Sequence, residues 1–141
     1  MSGILRKLAI GGGAATLVVA GAAAAQAATW TWASSSSPIV MTGGGGYGSL
    51  DLGSQTVNLN SALRDSTIGD GRVYAKVGIY NSRGLYTNLT SGQRSDGESS
   101  YAWMADKSVT LPQLMGNYDF AVRTCRAVTL QDPCSTDTRR Y

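Results

Sequence analysis

Two stretches of strict apolar/polar alternation constrain this chain more than anything else in it. In Arg72–Tyr80, residues Val73, Ala75, Val77 and Ile79 share one parity while Tyr74, Lys76 and Tyr80 take the other. In Asn117–Cys125, Tyr118, Phe120, Val122 and Thr124 alternate with Asp119, Ala121, Arg123 and Cys125. Successive side chains of a strand point to opposite faces, so a period of two describes a strand with one buried face. Asn81-Ser82-Arg83-Gly84 separates the first stretch from Leu85-Tyr86-Thr87 and reads as a hairpin loop, with Gly84 supplying a positive φ. Tyr101–Met104 and Val109–Leu111 add short strands, the second ended by Pro112, and Ser135–Tyr141 returns after an Asp132-Pro133 turn. No segment sustains a helical period, and Ser61–Ser66 amounts to one helical turn at most. Short strands separated by turn signals every ~8–12 residues predict an all-β, antiparallel sandwich.

The N-terminus has a different character. Arg6 and Lys7 precede an uncharged run from Leu8 to Ala25, and Ala25-Gln26-Ala27 supplies a small-x-small cleavage site. The run is rich in Ala and Gly, and Leu, Ile and Val occupy only five of its positions, which suits a cleaved leader better than a membrane anchor. The expected organisation is a signal peptide over 1–27, cleaved after Ala27 or Ala28, a flexible Ser/Gly-rich arm over 28–46, and a sandwich domain over 47–141. The arm is inferred from Ser34–Ser37, Pro38 and Gly43–Gly46. Export then places the protein outside the cell, with no membrane attachment once the leader is gone.

Cleavage also rewrites the charge balance. The formal net charge is +3, but losing Arg6 and Lys7 leaves ten basic against nine acidic side chains. Nucleic-acid binding needs clustered cations, and the adjacent pair Arg139-Arg140 at the chain end reads as a solvated tail. Cys125 and Cys134 are the two cysteines, and in an oxidising compartment such a pair reads as a disulfide. Closing so short a loop removes ~2.5–3 kcal/mol of unfolded-state freedom in the chain-entropy account.

Leu111-Pro112 followed by Gly116-Asn117-Tyr118-Asp119-Phe120-Ala121-Val122 resembles the corner and penultimate strand of immunoglobulin-like and fibronectin type III-like sandwiches. The resemblance implies that Tyr118 is a corner tyrosine whose hydroxyl folds back onto the turn, and it implies fold without function. Cys125 and Cys134 are too close in sequence to be the inter-sheet pair of antibody domains. The alanine-rich leader and the tail also resemble those of small secreted actinobacterial proteins.

The chain has no histidine, which removes Ser/His/Asp triads, Cys/His dyads and nearly all zinc sites. No serine lies in Gly-x-Ser-x-Gly or three residues before a lysine. Paired carboxylates drawn from Asp51, Asp65, Asp70, Asp96, Glu98, Asp106, Asp119, Asp132 and Asp137 would be the minimum for a glycosidase, but each sits beside a turn signal or on a polar strand face. Asp65–Gly71 offers oxygen ligands for calcium without the EF-hand spacing, and its plainer reading is a turn capped by Asp side chains. Gly43–Gly48 fits Gly-x-Gly-x-x-Gly formally, but a strand pattern follows it instead of a helix. No cofactor or metal is implied.

The aromatic pairs remain. Trp30 and Trp32, and again Tyr101 and Trp103, are spaced by two, so each pair projects from one face of an extended chain. Such pairs either cover a sheet face or stack on a ligand such as a sugar. The expectation is a secreted, non-enzymatic binding or structural protein whose partner is an extracellular protein or a glycan, with Trp30, Trp32, Tyr101, Trp103 and the polar 91–100 loop as candidate contacts. A second expectation is a protease inhibitor presenting Leu130-Gln131-Asp132 on the Cys125–Cys134 loop; a third is a carboxylate glycosidase.

Overall fold

The computed structural model describes residues 27–95, 97–128 and 130–141; the leader expected over 1–27 lies almost wholly outside them. Ten strands follow in order: β1 (Ala28–Ala33), β2 (Ile39–Met41), β3 (Gly44–Leu52), β4 (Thr56–Asp65), β5 (Arg72–Asn81), β6 (Gly84–Thr90), β7 (Glu98–Trp103), β8 (Lys107–Thr110), β9 (Asp119–Ala127) and β10 (Arg139–Arg140). They form two antiparallel sheets. In the first, β3 and β4 lie at the centre, β1 and β2 share the outer edge of β3, and β7 and β8 share the outer edge of β4. The second runs β10-β9-β5-β6.

The alternation in the sequence becomes the inter-sheet core. Val73, Ala75, Val77 and Ile79 of β5 and Phe120 and Val122 of β9 pack with Leu50, Val57, Leu59 and Leu63 of the first sheet. β5 and β9 pair in unbroken register from Arg72↔Ala127 to Tyr80↔Asp119. The expected hairpin closes tightly, with Asn81 paired to Gly84 and Gly84 at φ 111°. Tyr118 is buried just before β9, and its hydroxyl accepts the backbone N–H of Gln113 at 3.2 Å. That bond closes the corner between β8 and β9.

Two expectations are corrected, and the all-β reading of Ser61–Ser66 holds. Residues 28–46, expected as a flexible arm, supply β1, β2 and the start of β3, and Trp32 and Ile39 are core residues. The glycine run is strand because the sheets approach closely there: a Cβ on Gly44 would sit 2.7 Å from Val73, and one on Gly46 2.8 Å from Leu63 and 2.9 Å from Thr124. Ser61–Ser66, the one helical candidate, lies mostly within β4. Arg139 is no solvated tail either. Its guanidinium binds Asp137 at 2.6 Å and reaches the carbonyls of Ser37 at 3.3 Å and Pro38 at 3.5 Å, pinning the C-terminus to the β1–β2 loop.

The sheets are also joined by a buried ion pair. Arg126 of β9 reaches Asp65 at the end of β4 at 3.4 Å, Asp70 at 2.6 Å, and the carbonyls of Gly71 and Thr42 at 3.0 and 2.8 Å. Asp65 is 1% exposed, so removing its cation leaves an uncompensated buried charge. Arg126→Met should therefore lower the unfolding free energy by about 3 kcal/mol or more in urea titration, and adding Asp65→Asn should recover part of the loss. Single and double variants of equal stability would show that the bridge contributes nothing.

Candidate functional site

The outward positions of the first sheet carry the densest chemistry among the described residues. Val57, Leu59 and Leu63 of β4 point into the core, so the intervening Asn58, Asn60, Ala62 and Arg64 face out. On β3 the outward set is Tyr47, Ser49 and Asp51. Register sets Tyr47 opposite Ala62, and Ala62 opposite Trp103 of β7. The two rings meet above the alanine methyl, edge to face, at 5.5 Å between centroids. Tyr101 packs on Tyr47 at 5.1 Å, and the Arg64 guanidinium lies 5.2 Å from the Tyr101 ring centre. Gly45 makes this possible, because a Cβ there would come within 2.9 Å of the Tyr101 hydroxyl. Ala62 is sealed beneath the cluster, yet Trp103 remains 64% exposed.

A polar ladder continues along β4 from the rings. The Asn60 amide donates to Asp51 at 2.8 Å and to Ser49 at 3.2 Å, and Thr29 donates to the other Asp51 oxygen at 2.9 Å. Asn58 donates to Asn60 and to Asp106, both at 3.2 Å, and accepts from Ser108 at 2.6 Å. Donation from Asn60, then from Thr29, holds the Asp51 carboxyl below its usual range. From Ala62 to Asn58 the strand covers about 13 Å, so rings and amides form one elongated surface.

The four aromatics expected as contacts do not converge. Tyr101 and Trp103 stand on the outer face of the first sheet. Trp30 and Trp32 share one face as their spacing requires, but it is the inner one: Trp32 is 2% exposed and Trp30 packs on Tyr141 at 5.2 Å. Both pack in or against the core, and the buried Trp32 Nε1 has no hydrogen-bond partner among the described residues. Of the polar 91–100 loop, Ser91 and Arg94 are buried, and Glu98–Ser100 belong to β7. Tyr47 and the Asn58/Asn60 pair were missed. The signal for the amides was present as polar residues recurring every second position of Asn58-Leu59-Asn60.

The remaining candidates resolve differently. Cys125 and Cys134 form a disulfide, with Cα atoms 4.0 Å apart. Above it Asp132 accepts the Tyr74 hydroxyl at 2.6 Å and the Val128 N–H at 2.9 Å, while Leu130 is 97% exposed. Asp65 and Asp70, the acids of the candidate calcium loop, converge on Arg126, and Asp65 also accepts the Thr67 N–H at 3.2 Å as a turn cap would. Among the described residues no group of three metal-ligating side chains forms, and no helix is long and apolar enough to cross a membrane. Compared with known proteins, the chain matches no family model and no curated sequence.

Burial, and then the hydrogen bond to Asp132, push Tyr74 up to about 12. The same bond, followed by the Val128 N–H, holds Asp132 below its usual range. A raised tyrosine stabilises the fold below its unfolded value near 10 and loses that contribution as pH climbs toward 12; a depressed carboxylate stabilises it above pH ~4 and loses that contribution in acid. The latch should hold across the neutral range and fail at both ends. In an absorbance titration of the folded chain, Tyr74 should contribute an ionisation near pH 12, and Tyr74→Phe should delete that step; an unchanged profile in the variant would contradict it.

Proposed function

We propose that this chain is an exported, non-enzymatic binding protein of immunoglobulin-like architecture that recognises a neutral glycan with the outer face of its first sheet. The architecture is supported by strand pairing. With β3, β4, β5, β6, β7/β8, β9 and β10 taken as successive strands of such a domain, the first, second and fifth share one sheet, the rest share the other, and Tyr118 closes the corner where the corner tyrosine belongs. The Asp65–Arg126 bridge joins the two strands that antibody domains join by a disulfide. Export is supported by the leader pattern and by a disulfide compatible with an oxidising compartment. A non-catalytic role is supported by the missing histidine and by acids engaged with Arg126, Arg139, Tyr74 and the amide ladder.

One observation carries the ligand class: a tryptophan left 64% exposed on a sheet face, braced edge-on by Tyr47 and followed by a line of amides and hydroxyls. Trp103, Tyr47 and Tyr101 form a contiguous aromatic patch, and it is contiguous patches of this kind that mark binding surfaces. Its flat face suits the apolar side of a pyranose, and Asn58, Asn60, Ser49 and Ser108 match the hydroxyls that follow along a chain. Affinity electrophoresis of the purified chain in gels containing hydroxyethyl cellulose, glycol chitin or soluble β-glucan should show retardation on at least one. Trp103→Ala should weaken it about tenfold, the loss of ~1.4 kcal/mol expected for one aromatic contact. No retardation on any neutral polysaccharide, or equal retardation of the variant, would refute the reading.

A second reading rests on Leu130. At 97% exposed, on a loop based on the disulfide and anchored through Asp132, it is a side chain a protease specificity pocket could accept. It predicts inhibition of a serine or metalloprotease that Leu130→Asp abolishes, and a panel left uninhibited by the native chain would remove it.

A further inference from the structure

The outer face of the second sheet holds a feature neither reading uses. Lys76 of β5 and Arg123 of β9 are direct cross-strand partners, half-buried and facing outward. Like charges set opposite one another destabilise an antiparallel pair. Neither forms an ion pair among the described residues. Asp132 is near enough to Lys76 to feel its charge, but its oxygens already accept from Tyr74 and Val128. Two cations therefore face one carboxylate that is committed to holding the loop.

The pair lies in the middle of a trough. On one side the floor rises to a wall built by Tyr74 and the Leu130–Cys134 segment; on the other it continues past Gly78, Ala121, Tyr80, Leu85 and Asn88, and both depressions are lined by Lys76 and Arg123. Gly78 and Ala121 pair across the strands and keep the floor low. A Cβ on Gly78 would lie 2.9 Å from the Tyr80 ring, so that ring lies down across the floor, one position from the cations on the same face. Beyond it Asp119 pairs with Tyr80, about 13 Å from Lys76. The charged side chains that line the two depressions are Lys76, Arg123 and, on one side, Asp132. A polyanion charged on every unit would meet Asp132, whereas one carboxylate with neutral neighbours meets only the cations.

We propose that this trough binds a uronic acid unit within an otherwise neutral oligosaccharide, its carboxylate held between Lys76 and the Arg123 guanidinium and the adjacent ring resting on Tyr80. Arginine grips a carboxylate with two parallel donors, and the aromatic face takes the sugar ring beside it. The site is separate from the first-sheet surface, so either can fail alone. The test compares thermal midpoints and amide NMR shifts of the purified chain with a trisaccharide carrying a central glucuronate, its all-glucose counterpart, and a tripeptide with a free C-terminal carboxylate, at constant ionic strength. The uronate trisaccharide should raise the midpoint saturably and shift the amides around Lys76, Gly78 and Arg123. In Lys76→Met/Arg123→Gln its affinity should fall at least tenfold, while the ligand-free midpoint stays level or rises because the repulsion is gone. An equal shift of the Lys76, Gly78 and Arg123 amides by the glucose trisaccharide or by the tripeptide, no shift of them by the uronate, or a lower ligand-free midpoint in the double variant would each overturn the proposal, whereas a glucose response confined to Tyr47, Asn60 and Trp103 belongs to the first-sheet surface.

Discussion

The structure depends on a charge placed where apolar residues would be cheaper. Arg126 enters the seam between the sheets and gathers Asp65 from β4, Asp70 and Gly71 from the β4–β5 connection, and Thr42 from the turn before β3. A buried guanidinium is tolerable only when its donors are satisfied, so four separate pieces of chain must arrive together. This sets the register between the sheets at one end of the sandwich. The glycine-lined approach of β3 to β5 and β9 lies at the same end, with Gly44 beside Val73 and Gly46 beside Thr124.

With the interior fixed, the alternation that fills the core leaves every second position free for chemistry. The two sheets use that freedom differently. The first collects rings and amides on its outer face and leaves Trp103 in water. The second sets Lys76 against Arg123 and walls them with a loop that the disulfide and the Tyr74–Asp132 bond hold in place. Both surfaces are built on paired strands, the first on β3, β4 and the edge strand β7 and the second on β5 and β9, and strands hold side chains in position better than a loop would.

The sequence was legible where local rules and tertiary demand agreed. The β5 and β9 alternation, the Gly84 hairpin, the Cys125–Cys134 bond and the fold-back of Tyr118 all follow from short-range pattern, and two antiparallel sheets follow from those. It misled where composition stood in for packing. Gly43–Gly46 looks like a linker because glycine is flexible in isolation; β3 needs it because Val73, Leu63 and Thr124 leave no room for a Cβ. Spacing placed Trp30 and Trp32 correctly on one face but could not say which, since that depends on the pairing of β1 with β3. Tyr47 joined the aromatic cluster only through the register that sets it across Ala62 from Trp103.

The proposed recognition by the outer face of the first sheet is tested by a map of backbone amide shifts, recorded as the labelled chain is titrated with a soluble neutral oligosaccharide whose parent polysaccharide retards the chain. Perturbations grouped at Tyr47, Asn58, Asn60, Ala62 and Trp103, with the Val128–Cys134 loop unmoved, are the predicted result. Perturbations confined to that loop, or spread evenly over both sheets, would contradict it.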